Sequence, residues 1–503
     1  MRLAARRLRL PARLAVILAA VIAVAAWSGG RAGQVPWRFT PSSGDYAQRA
    51  TTSTRLLEDT FFNGSGLWHM CVPVVCFTKN RDWGADSLTY VLYLRWLMTR
   101  DRSVLPVMRA LARTAPSWKR SDSGSSDTVM WDAVADIRDY QVTGSRIALA
   151  KAKAAFQWEN SDKAALFAAG ACPGIDYQWP DGRRGFLKTL ETASNFLKAA
   201  ILLYQITGRR LYLLRAKATY DQVRDYFMAP HVPLYTVYVF DNDITCEPLL
   251  GNYFASVNGN MIWAGAALAT ITGHLGYLGD AIDTAKAVQA DLSDADGVFA
   301  DMQADNDVVE PLVEAMYDLA TTYHQEFAAR WLMINAAAAA ADANAAGESG
   351  RFFDGPPPST IATAWQVNGG AALAQVAGAL DPRGRPADPG FWLRAHLVTD
   401  AQTLTGTSLR IAFTGRAIAI LGTVGDGCCS AGHARVFVDG TQTFNRTGIW
   451  QNMTAPSIAQ PNQVLFAWRW PSAGRHVITI RPGVYDREEG GSFFSMTGYL
   501  VVG

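Results

Sequence analysis

The amino-acid sequence predicts a multidomain, mainly α protein: an (α/α)6 toroid followed by a C-terminal antiparallel β-sandwich. Three observations carry that expectation. A threonine-centred frame recurs four times between residues 99 and 281, each time closing one helix-like stretch and opening another. After residue 381 the texture changes to short runs of alternating apolar and polar residues. The 503 residues are 49% hydrophobic and 18% charged, which suffices for a large core and excludes a mainly disordered chain.

The chain opens on a basic segment, residues 1–33, with Arg2, Arg6, Arg7, Arg9, Arg13 and Arg31 and no acid. An uninterrupted apolar run, Leu14 to Trp27, follows. It is short for a bilayer span, which needs about 17–25 residues, and it suits the core of a signal peptide. No clean A-x-A site follows, so a cleaved signal and a retained signal anchor both stay open. Either places the remainder in an extracytoplasmic setting, secreted or in the cell envelope. Removing those six arginines takes the formal charge from +2 to about −4, which gives no case for a nucleic-acid partner.

Export makes the six cysteines disulfide candidates. Cys71 with Cys76, Cys172 with Cys246 and a vicinal Cys428–Cys429 are the pairings considered, out of about 15 that six cysteines allow. No His or Cys spacing suggests a metal, and no cofactor is expected. Beyond the N-terminal segment no run reaches 18 uncharged apolar residues, which excludes a transmembrane transporter.

Residues 34–80 read as a lead-in, and 81–385 as the helical domain. The strings LMTRDRSVLPVM, QVTGSRIALAKA, QITGRRLYLLRA and TITGHLGYLGDA share one frame. Six residues after Thr99, Thr143, Thr207 and Thr272 stands a leucine: Leu105, Leu149, Leu213 and Leu278. Nine residues after stand Met108, Ala152, Ala216 and Ala281. Glycine follows the threonine in three copies, as a helix C-terminal signal. The stretches 308–341 and 360–380 complete six pairs, and very apolar first helices fit an inner ring covered by an outer one. From about 391 to 503, runs such as SLRIAFTG, ARVFVDG and HVITIRPG read as strands ending in turns. Trp450, Trp468 and Trp470 there are either a sugar platform or, as is commoner for alternating strands, sandwich core.

In a toroid of this kind the inner-helix N-termini line one face. Moving back from each threonine finds Asp82 and Asp86, then Ser126, Asp127 and Asp132, then Glu191, Ser194 and Asn195, then Asp241, Asp243, Ser256, Asn258 and Asn260. Asp305, Asn306, Asp307 and Glu310 precede the fifth inner helix. Trp83, Trp131, Tyr177, Trp179, Tyr238 and Trp263 are interleaved. Carboxylates among aromatics suit a sugar site, where rings stack on sugar faces and acids carry proton transfer. Singly, such acids and amides are ordinary helix caps. Asp132 and Glu310 read as solvated or capping, and Trp131 and Trp263 as core.

The ordered series of motifs over roughly 80–380 resembles glycoside hydrolase family 76, α-1,6-mannanases with an (α/α)6 barrel. SDTVMWDAVADIRDYQVTG resembles the family's D-D-x-x-x-W helix leading to T-G. PGIDYQWP resembles its G-G-I-x-W segment, and TASNFLKAAILLYQITGRRLYLLRA its S-N-x helix and tail. VYVFDNDITCEPLLGNYFASVNGNMIWAGAALATITG resembles the Y-D-G, cysteine and Y-N-Q-G succession, and YHQEFAARWLMINAAAAAADANAAG the closing helix pair. The resemblance implies hydrolysis of an α-linked polysaccharide or oligosaccharide, an α-1,6-mannan-like glycan. It places the second aspartate of the family pair on Asp127, and the S-N, Y-D and Y-N positions on Asn195, Asp241 and Asn258.

The first aspartate of the pair falls on Ser126, and serine cannot serve as a carboxylate nucleophile. Asp127 is the expected general acid/base, with Ser126 beside it and Asp82, Asp86 or Asp241 as candidate second acids. Trp131, Trp179, Asn195, Asp241 and Asn258 are the expected substrate contacts. Three outcomes are open: an inverting enzyme using another acid, a different glycan or reaction, or glycan binding without cleavage. The C-terminal module resembles a β-sandwich appended to bacterial envelope proteins, either carbohydrate-binding or a spacer.

Overall fold

The computed structural model describes residues 39–72, 83–114, 126–160, 170–173, 187–242, 244–251, 253–300, 308–357, 363–424, 434–443, 460–483 and 493–503. Trp37–Gly503 is one compact unit, distinct from residues 1–36, and both hydrophobic cores lie wholly inside it. Among the described residues there are twelve α-helices: α1 (Tyr46–Phe61), α2 (Trp83–Thr99), α3 (Leu105–Arg113), α4 (Ser126–Thr143), α5 (Arg146–Glu159), α6 (Leu190–Thr207), α7 (Arg210–Phe227), α8 (Ala255–Thr272), α9 (Gly276–Asp291), α10 (Glu310–Thr321), α11 (Glu326–Ala341) and α12 (Asn368–Leu380). They form an α/α toroid with the even-numbered helices inside.

The recurrent threonine has a local cause. The hydroxyls of Thr99, Thr143, Thr207 and Thr272 each donate to the carbonyl four residues back, at 2.6–2.7 Å. Each also accepts the N–H two residues on, at 3.1–3.3 Å. One side chain thus caps an inner helix and steers the chain into the outer one. The next residue lies in the left-handed region: Gly144, Gly208 and Gly273, with Arg100 at φ 57° in the copy that lacks glycine. Nine residues after the threonine, Met108, Ala152, Ala216 and Ala281 are buried against the inner ring. The leucines at the sixth position are half-buried beside them.

The ring closes differently from the sequence expectation. The stretch 308–341 is the pair α10–α11, and the partner of α12 comes from the other end of the chain. That partner is α1, inside the stretch read as a lead-in. Tyr46 N–H and Ala47 N–H donate to Gly384 and Pro382 carbonyls, and Gln375 of α12 donates to Ala50 O, 3.2 Å, Ser53 and Thr54. The middle of α1's inward face hid it from an apolar-periodicity reading: Tyr46, Leu57 and Phe61 join the core at its ends, but Ser53 and Thr54 between them bond Gln375.

Strands follow as expected: β4 (His396–Val398), β5 (Gln402–Thr405), β6 (Leu409–Val424), β7 (Ala434–Val438), β8 (Thr441–Gln442), β9 (Gln460–Pro482), β10 (Phe493–Met496) and β11 (Gly498–Val502). They make a six-stranded antiparallel sheet, β4-β11-β6-β9-β7-β8, and a two-stranded β10-β5 sheet. Alternation along β6 splits the faces. Ile418 and Ile420 join the core shared with Leu404, Phe494 and Met496 of the small sheet. Ala417, Ala419 and Leu421 join the helical core, so small side chains seat the sheet on the helices. Three further strands, β1 (Leu187–Thr189), β2 (Tyr238–Asp241) and β3 (Cys246–Pro248), form a small antiparallel sheet ahead of α6 and α8.

Candidate functional site

The inner-helix N-termini meet at one end of the toroid. Asp86 lies in the first turn of α2 and Asp127 in the first turn of α4, at 8% and 9% exposure. The two helices pack against each other. They are the candidate acids that the structure puts on neighbouring helices at the mouth. Both are bonded to their surroundings. Ser126 begins α4. Asp82, Tyr177, Trp179, Asp243, Asp305, Asn306, Asp307 and Trp450 lie outside the described residues.

Next to Asp86, the Ser87 hydroxyl donates to Glu310 Oε1 at 3.0 Å and accepts from Asn368 Nδ2, which joins α2, α10 and α12 at the mouth. Glu310 is fully buried, and burial pushes its carboxyl up to about 7. Glu310 opens α10 and its carboxyl accepts its own backbone N–H there, the capping role expected of it, but it is not solvated, and neither is Asp132, which is buried on α4.

On α6 the Thr189 hydroxyl caps the helix by accepting Glu191 N–H at 3.1 Å. Asn195 sits one turn in. Its amide donates to Glu191 O at 3.1 Å and accepts from Asn260 Nδ2 at 3.0 Å. Asn260 accepts in turn from Lys198 Nζ at 3.1 Å. Lys198 also contacts Tyr90 Oη and, at 2.8 Å, Glu314 Oε2, and Glu314 Oε1 binds Arg138. A polar seam thus runs from the mouth down the toroid axis. Arg138 lies 4.1 Å from the Tyr93 ring centroid, and Trp263 hydrogen-bonds Asp318.

Sequence reasoning missed this seam, although a signal was present. Lys198 and Glu314 each stand mid-helix among apolar residues, where an ion must find a partner on another helix; Arg138, flanked by Asp136 and Asp139, gave no such signal.

Two expected substrate contacts have scaffold bonds instead. Asn258 is fully buried, donates to Tyr235 O and Phe254 O at 3.0 Å and accepts Tyr235 N–H at 2.9 Å. Asp241 accepts Ala171 N–H at 2.9 Å and Cys172 N–H at 3.1 Å, with Lys188 Nζ at 3.1 Å. A Cβ on Gly170, φ 89°, would fall 2.2 Å from Asp241 Oδ2, so glycine is needed for that approach. The Cys172–Cys246 disulfide, Cα–Cα 5.3 Å, fixes the same corner, and Cys71 is also disulfide-bonded. Cys76, Cys428 and Cys429 lie outside the described residues. Trp131 is buried in the helical core, in keeping with its reading as a core residue.

The C-terminal tryptophans are core as well. Trp468 and Trp470 are buried, and Trp470 stacks on His476 at 4.0 Å and donates to Asp439 Oδ2 at 3.2 Å. Among the described residues no His, Cys, Asp or Glu group is placed to hold a metal ion. Nor is any described helix long and apolar enough to cross a membrane.

Fold and site together define a six-hairpin toroid whose mouth carries carboxylates and amides. Comparison with solved structures makes the class more specific: the chain is similar over about two thirds of its length to glycoside hydrolase family 76 α-1,6-mannanases. It aligns with the α-1,6-mannanase of Salegentibacter sp. HEL1_6 at TM-score 0.57 and 19% identity, over 67% of this chain and 100% of that one. An inactive variant of that enzyme, with two consecutive aspartates replaced by alanine and α-1,6-mannotetrose bound, aligns at TM-score 0.56 and 19% identity, over 66% and 99%. A family 76 mannosidase of Bacteroides thetaiotaomicron VPI-5482 aligns at 0.53 and 15%, over 67% and 97%. At these identities the likeness is one of fold. No protein-family model matches the sequence, and no curated protein matches it either.

Proposed function

We propose that the chain is an exported glycoside hydrolase acting on an α-1,6-mannan-like glycan, with Asp127 as general acid. The observation that carries this reading is the placement of Asp127 at the mouth of a family 76-like toroid, on the helix whose motif resembles the family's paired aspartates. The solved relative with α-1,6-mannotetrose bound is inactive when two consecutive aspartates are replaced, and the resemblance puts Ser126 and Asp127 at that pair. With serine first, hydrolysis needs a second acid, and Asp86 on the adjoining helix is the one we assign. Asp127 would protonate the departing glycosidic oxygen while Asp86 takes a proton from water attacking the opposite face, so configuration inverts. Asn195, buried at the top of the polar seam and bonded to Glu191 O and Asn260, would shape the sugar subsite through its neighbours. The basic, apolar N-terminal segment and the Cys172–Cys246 disulfide support an extracytoplasmic location.

Ser126 favours a second reading, a protein that holds glycan without cutting it. Incubation with α-1,6-mannan separates the two. On the hydrolase reading the wild type shortens the polymer, Asp127→Asn loses about 100-fold or more of that activity, and the first product carries inverted anomeric configuration by NMR. Glycan binding by wild type with no shortening, together with cleavage appearing in Ser126→Asp, would establish the second reading.

A further inference from the structure

The end of the toroid opposite the mouth carries features that the hydrolase reading does not use. Each hairpin turns there, directly after the capping threonine, so the residues opening the outer helices share one rim. Among the described residues eight large apolar side chains are exposed, and four of them stand on three adjacent corners of that rim. Ile147 is 57% exposed, Leu211 47%, Leu214 52% and Leu275 74%. The first three lie in the opening turns of α5 and α7, and Leu275 is the residue before α9. Their helix mates turn inward: Ala148, Tyr212, Ala216 and Ala281 are buried. The leucines and isoleucine are therefore not the outer edge of the core.

Charge on the α4–α5 and α6–α7 corners has one sign. Arg146, Arg209 and Arg210 are exposed beside the apolar tips, and no salt bridge ties them among the described residues. The α8–α9 corner carries no arginine, and the first two turns of α9 hold Asp280, paired with Arg224 at 3.1 Å, and the exposed Asp283; Glu326 and Asp381 are on other corners. Free arginines next to protruding aliphatic tips match an anionic lipid headgroup layer, which takes the guanidinium charge while the apolar tips enter the acyl boundary. An aqueous polyanion would take the arginines and leave the leucines in water.

We infer that this rim is a peripheral docking surface for an anionic lipid bilayer, seated on the α4–α5 and α6–α7 corners, with Leu275 of the α8–α9 corner at its apolar edge. Docked so, the toroid holds its mouth away from the bilayer. The inference stands apart from the hydrolase reading, since it uses none of the mouth residues.

The test is co-sedimentation of the compact unit, residues 37–503, with phosphatidylcholine vesicles with and without phosphatidylglycerol. Binding to the anionic vesicles is expected to exceed binding to neutral ones about tenfold and to weaken in high salt. Leu211→Ser/Leu214→Ser/Leu275→Ser and Arg146→Gln/Arg209→Gln/Arg210→Gln should each lower it about tenfold, with unchanged circular dichroism. Equal partition to both vesicle types, or triple-serine binding equal to wild type, would overturn the inference. So would a dimer in solution that the serine variant converts to monomer, because a second copy would then own the face.

Discussion

Two buried charge clusters hold this molecule together, and they are balanced in opposite ways. Along the toroid axis, Arg138 and Lys198 face Glu314 and Asp318. Between helices and sheet, Arg469 of β9 alone faces Asp294, Asp342 and Asp354. Its guanidinium donates to Asp342 Oδ2 at 2.6 Å and to Asp354 O at 2.8 Å, its N–H donates to Asp294 Oδ2 at 3.1 Å, and it lies 4.2 Å from the Phe391 ring centroid. Burial raises every carboxyl in both places, so neighbouring charge decides the outcome. Against burial, Arg138 and Lys198 hold Glu314 down to about 2. In the other cluster one arginine is too few: burial carries Asp294 to about 7 and Asp342 to about 6, and burial with the Asp294 charge drives Asp354 well above its usual range. On the axis Glu314 stays ionised while burial and the Glu314 charge push Asp318 up to about 7, whereas at the interface all three acids are raised.

The largest effect should come from unbalancing the axis. Glu314→Gln leaves Arg138 and Lys198 buried with Asp318 as the remaining acid, at an expected cost of about 3–5 kcal/mol in urea unfolding. Adding Lys198→Met to Glu314→Gln removes the surplus cation and should recover about half of that loss. If the double variant is no more stable than Glu314→Gln, charge balance is not what the network supplies.

The interface should show itself through pH. A carboxyl whose folded pKa lies above its unfolded value, about 3.9, keeps its full stabilising effect below that value and loses it as pH rises through the folded pKa. For Asp294 and Asp342 the window runs from about 4 to about 7. Glu314 has the opposite sign, since its contribution is lost as pH falls from about 4.5 toward 2. Wild-type stability should therefore decline by on the order of a few kcal/mol between pH 5 and pH 8. Asp354→Asn should flatten that decline, which a series of urea midpoints across the range would read. An unchanged slope would mean that the three acids do not share their protons.

What could be read from the sequence divides along the same line. The threonine frame was legible because its chemistry is local, with hydroxyl, helix carbonyl and left-handed corner all within six residues. Asp86 and Asp127 were legible as mouth residues because that frame fixes where an inner helix begins. Partners far apart in sequence were not. Asp241 lies in a motif that resembles a sugar-contact position, yet its carboxylate serves Ala171 and Cys172, which only the folded corner brings near. The same holds for Asn258 with Tyr235, and for Glu314 with Arg138. Helix α1 was overlooked because the middle of its inward face bonds to Gln375 from the opposite end of the chain.

The smallest effect is the sharpest form of the comparison. Asp342 is the partner that Arg469 holds most closely, at 2.6 Å, so a reading by contacts would rank its loss beside that of Glu314. Charge bookkeeping says otherwise. Asp342→Asn keeps one acceptor oxygen where the carboxylate uses two, Oδ2 for Arg469 at 2.6 Å and Oδ1 for Trp392 N–H at 3.0 Å, so one of those donors faces the amide NH2 instead. It also leaves Asp294 beside the arginine, free to release its proton and take over as counter-ion. The expected cost is about 1–3 kcal/mol near neutral pH, below that of Glu314→Gln, with the pH-dependent decline moved to lower pH as Asp294 ionises more readily. Urea midpoints of Asp342→Asn and Glu314→Gln at the same pH decide the matter. Equal losses would show that the interface acids are not interchangeable, and the distinction between an axis that keeps Glu314 ionised and an interface that raises all three acids would fall with them.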